Sequence, residues 1–150
     1  MTSASWLLAA LMIYWAAALS IAAVAHLKAD WGEKAGASAL VLNFGLTLAV
    51  QNLYWQGIQI GVFAADTMLL IVLATVAFRV RRWWPRAAAG FTAVSCVTHP
   101  AATFSPDIWM LPYLAAQWVF SGLTVLALAG GLIELSYARR DELWRAGAAV

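Results

Sequence analysis

From Ala4 to Ala25 the chain runs without a single formal charge, and two later stretches are almost as bare. Residues 36–78 hold one charged side chain, Asp66, and residues 87–133 hold one, Asp107. A backbone in hydrocarbon must satisfy its own N–H and C=O groups, which leaves helices or closed barrels as spanning structures. A crossing helix takes roughly 17–25 mainly apolar residues. Of the 150 residues, 64% are hydrophobic and 11% charged, where a soluble domain carries about 25% charged residues. A chain of this size has too little interior to bury that much apolar surface. An ordinary soluble enzyme, a nucleic-acid-binding domain and a disordered tail are thereby excluded, and an all-α polytopic membrane bundle is expected.

Residues 4–25 fit one crossing, while 36–79 and 87–134 are each long enough for two. The first pair divides at Gln51-Asn52-Leu53-Tyr54-Trp55-Gln56-Gly57, the second at Ser105-Pro106-Asp107. Pro85 suits the first helical position of the fourth span, where its missing N–H costs nothing. Five helices are predicted, over about 4–26, 36–54, 58–79, 86–104 and 108–136, in a single domain covering 1–150. Ala23-Val24-Ala25 resembles a cleavage site, but residues 1–5 hold no basic residue and the apolar run is long for a signal core. The first segment is therefore expected to span.

Charge gives the orientation. All nine Lys and Arg lie in 27–35, in 79–86 or in the C-terminal tail. Five crossings put those three segments on one side, so the positive-inside rule predicts an outer N-terminus and a cytoplasmic C-terminus. Trp6, Tyr54, Trp55, Trp109 and Tyr113 then fall near the outer boundary. Trp31, Trp83, Trp84, Tyr137 and Trp144 fall near the inner one, giving two interfacial belts. Trp15 and Trp118 are expected deep, in packing.

Polar residues inside the spans fall on single helix faces. The second span carries Asn43, Thr47 and Gln51; the fourth Thr92, Ser95, His99 and Thr103; the fifth Gln117, Ser121 and Thr124. Uncompensated polar groups are costly in hydrocarbon, so these faces are expected to turn inward or towards a partner. Small residues at Gly57, Gly61 and Ala65, and at Ala127 and Gly131, offer close helix packing. Asp66 is the informative acid. It stands about eight residues, or roughly 12 Å, below the outer end of its span. His99, Gln51 and Gln117 are expected in the same outer half, which brings an Asp66–His99 contact within reach. Pro100 cannot donate the helical bond to the Cys96 carbonyl, which predicts a kink and a free acceptor beside this cluster.

The stretch Arg79-x-Arg81-Arg82-Trp83-Trp84-Pro85, followed by Thr98-His99, resembles small uncharacterised polytopic inner-membrane proteins of proteobacteria. The resemblance covers the third and fourth spans, less than half the chain. It implies a multi-pass protein of a bacterial inner membrane and carries no activity with it.

The lone Cys96 excludes an intrachain disulfide, and no phosphate loop, His-Glu zinc signature or nucleophile elbow occurs. Neither catalytic residues nor a metal site are assigned, and no enzymatic activity is expected. Short loops lead first to a non-catalytic subunit or scaffold of a larger complex, electron-transfer or photosynthetic, with lipid and other membrane subunits as partners and no nucleic acid. Two other readings stay open. One is an ion, proton or solute carrier or channel organised around Asp66. The other is a protein that binds a quinone, haem or chlorophyll-type pigment through His99, with Asp66, Gln51 and Gln117 completing a cofactor site. His26 lies at the opposite side from His99, so the two cannot be opposed ligands of one haem.

Overall fold

The computed structural model describes the backbone of residues 3–55, 59–101 and 106–147, and the side chains of residues 9, 11–55, 59–101 and 112–141. These segments form five helices: α1 (Ser3–Lys28), α2 (Trp31–Val50), α3 (Ile60–Arg79), α4 (Trp84–Ala101) and α5 (Pro106–Gly147). Three of them contain stretches long and apolar enough to cross a membrane, namely Leu11–Lys28, Ile60–Arg79 and Pro112–Asp141. The other two are more polar: α2 opens on Glu33 and Lys34, and α4 carries Arg86 and the stripe through His99. Large aliphatic and aromatic side chains point outward, Leu27 at 80% and Phe78 at 92% exposure among them. In water such a surface would aggregate, whereas hydrocarbon covers it without cost.

Each helix packs on its neighbours in sequence, and α5 returns to touch α1 and α2 as well as α4. Small residues set the spacing where α1 meets the bundle. Ala18 and Ala25, seven residues apart on one face, are fully buried. Gly61 marks a closer approach. A Cβ there would run into the Val50 carbonyl oxygen at the end of α2. That meeting fixes the α2–α3 corner, and Gly61 N–H donates to the Leu53 carbonyl across it. Gly57, expected on the same ridge, lies outside the described residues. Gly61→Ala is expected to destabilise the protein by about 1–3 kcal/mol through overpacking, read as an earlier thermal transition in detergent; an unchanged transition would refute the close approach.

Expected boundaries move at both ends of α2, which stops at Val50 rather than near 54, and at the end of α5. The second helix begins at Trp31 rather than near 36, because Glu33 and Lys34 belong to its first turn instead of a loop. Glu33 is tolerated there, although 1% exposed, since Arg82 Nη1 donates to its Oε1 at 2.8 Å and Trp84 Nε1 at 3.2 Å. Asp30, just ahead of α2, makes no side-chain cap and instead meets Arg82 and Arg139, each at 3.4 Å. The fifth helix does not stop near 136. It continues to Gly147 through Ala, Arg, Glu and Leu, all strong helix formers, with Arg140 stacked 5.9 Å from the Tyr137 ring centroid. At 42 residues it is roughly 63 Å long, about twice the hydrocarbon thickness. Pro85 takes the second position of α4, not the first, and Pro100 lies inside that helix.

Trp84 closes the end of the core opposite the α2–α3 corner. Its ring is fully buried against Gly36 of α2 and Gly131 of α5. A Cβ at Gly36 would stand 2.9 Å from the ring, and one at Gly131 would overlap it. Leu40, Leu73, Val76, Ala88 and Leu128 complete this half of the core.

Candidate functional site: a cavity ending on Asp66

The polar stripes turn inward and meet. Thr92 and Thr124 approach to 3.3 Å between α4 and α5, each also donating to the carbonyl one turn back. One level further out, Ser95 Oγ donates to Gln117 Oε1 at 2.6 Å and lies 3.3 Å from Asp66 Oδ2. Gln117 Nε2 donates to Thr98 Oγ1 at 2.7 Å and to the Ser95 carbonyl at 3.3 Å. Asp66 and His99 meet directly, His99 Nε2 lying 3.2 Å from Asp66 Oδ2. From α2, Asn43 Nδ2 donates to the other carboxyl oxygen at 3.1 Å. Three helices thus converge on one carboxyl group, and α5 braces them through Gln117.

Beyond His99 the network continues towards the α2–α3 corner. His99 Nδ1 lies 3.0 Å from the Tyr113 hydroxyl, which in turn donates to Gln59 Oε1 at 3.1 Å. Gln59 Nε2 donates to the exposed Tyr54 hydroxyl at 2.6 Å. Phe63 and Tyr113 pack edge-on to the imidazole, so His99 is 1% exposed and both its ring nitrogens have polar neighbours.

On the opposite side of Asp66 lies a cavity of about 390 Å³. Its walls come from α1, α2, α3 and α5. Tyr14, Trp15, Phe44 and Trp118 supply the aromatic lining, while Asp66 and Asn43 belong to its polar end. No α4 residue lines it, and Asp66, Tyr113 and Gln117, which do, are the groups that touch His99 from the cavity side. The aromatics hold one another: Tyr14 donates to the Trp118 carbonyl at 2.5 Å and meets its ring edge-on at 5.1 Å, and Trp15 packs on Phe44. Trp15 and Trp118, expected in packing, are therefore the walls of a space. Two buried oxygens in this lining, Asn43 Oδ1 and Thr47 Oγ1, have no hydrogen-bond partner among the described residues. Buried polar atoms are seldom left so. The polar end of the cavity thus holds two buried oxygens that nothing among the described residues satisfies.

Of the four residues singled out from sequence, Asp66, His99 and Gln117 share one network. Gln51 does not join it. It lines the outer part of the same cavity, is exposed, and gives only its backbone carbonyl to Gln59 at 3.5 Å. Asn43, two turns deeper on the same stripe, takes the place beside the carboxyl. Tyr113 and Gln59 were missed. Tyr113 sits four residues before Gln117, on its face of α5, and that spacing was the signal for it. Thr103, Trp6 and Trp109 carry side chains outside the described residues. No family model, curated protein or solved structure matches the chain.

Proposed function

We propose that the chain is a five-span bundle of a bacterial inner membrane, with its N-terminus outside, that binds a small amphiphilic molecule in the aromatic cavity above Asp66. The grouping of every Lys and Arg in the segments around α1–α2, α3–α4 and the C-terminus supports the topology. It puts the α2–α3 corner, and the cavity beside it, in the outer half. The observation that carries the functional reading is the cavity itself. Apolar walls with a few convergent polar groups are the usual form of a ligand site, and the unpartnered Asn43 Oδ1 calls for a ligand that donates hydrogen bonds. The aliphatic outer faces suit lipid as well as a partner subunit, so the cavity takes precedence over scaffolding. His99 faces Asp66 and Tyr113, so the reading does not use it as an axial ligand.

The test is co-purification. Protein extracted in native lipid discs is expected to carry one small molecule enriched over bulk lipid by mass spectrometry. Ser121→Phe, which fills the lining, is expected to lose it while retaining the wild-type melting profile. Identical extracts from the two proteins would overturn the proposal.

A further inference from the structure

The polar groups at the end of the cavity narrow the chemistry of the ligand, an inference that rests on the binding role proposed above. The Asp66 carboxyl accepts from Asn43 Nδ2 at 3.1 Å and lies 3.2 Å from His99 Nε2 and 3.3 Å from Ser95 Oγ.

On its other side the carboxyl faces a cavity with mainly apolar walls. Neither Lys nor Arg lines the space or contacts the carboxyl among the described residues. A charge so placed needs a counter-charge. We propose that the ligand is an amphiphilic ammonium ion. Its N–H groups donate to Asp66, Asn43 Oδ1 and Thr47 Oγ1, while its apolar body lies among Tyr14, Trp15, Phe44 and Trp118. Those rings attract a cation through their π faces.

Binding of 2-phenylethylamine and its neutral counterpart 2-phenylethanol to the purified protein, measured by calorimetry, is the experiment. The amine is expected to bind more than about tenfold tighter than the alcohol, a ratio that an unscreened carboxylate partner readily supplies. Asp66→Asn is expected to abolish the preference while still binding the alcohol. Equal affinities in the wild type overturn the ammonium assignment and leave the cavity a ligand site. If neither compound binds, the functional reading falls as well.

Discussion

Trp84→Ala is expected to cost about 3–5 kcal/mol, in the range for deleting a large buried aromatic, and to be the most damaging single substitution in the protein. The indole is fully buried, and the backbones of α2 and α5 have been drawn close to it by Gly36 and Gly131. Neither glycine bears a side chain that could move in to refill the space. Removing the ring also deletes the Nε1 donor to Glu33, so a cavity and a weakened buried carboxylate arise together. Thermal unfolding reports the loss through Cys96, the only cysteine in the chain, which is buried and becomes open to a thiol-reactive dye as the bundle loosens. A transition within a few degrees of wild type would mean that the ring is not the wedge its surroundings indicate.

Arg82→Leu is expected to cost about 3 kcal/mol, at the low end for breaking a buried ion pair. The guanidinium keeps 23% of its side chain exposed, whereas Glu33 keeps 1%. Removing the arginine therefore strands a carboxylate that cannot reach water, with Trp84 as its remaining donor. The double substitution Glu33→Leu with Arg82→Leu is expected to recover most of the loss, because no buried charge is left behind. If the double variant melts no higher than the single one, the cost comes from the lost Asp30 contact or from packing, not from the stranded charge.

Five helices were legible because charge-free runs of the required length separate compact basic clusters, and that pattern survives any detail of packing. The start of α2 was not legible. Glu33 and Lys34 read as loop residues until Arg82, far away in sequence, supplies the partner that lets Glu33 enter a buried first turn. The heart of the site was foreseeable because an acid, an imidazole and an amide in apolar segments each need a partner. Which member of the Asn43–Thr47–Gln51 stripe would meet Asp66 was not. Helix spacing offers all three, and the choice is made by how closely α3 approaches the end of α2, where Gly61 meets the Val50 carbonyl. Tyr113 stayed hidden because an aromatic near a predicted boundary is explained equally well as an anchor in the headgroup layer.

Three side chains that line the cavity, Asp66, Tyr113 and Gln117, also touch His99, which lies outside the lining. Under the proposed reading, a bound molecule meets the imidazole only through these three groups. Substitutions at Tyr14, Phe44 or Trp118 would then change the accepted shapes and leave the polar end as it was, so fit and polar recognition can drift apart in separate lineages of the same scaffold.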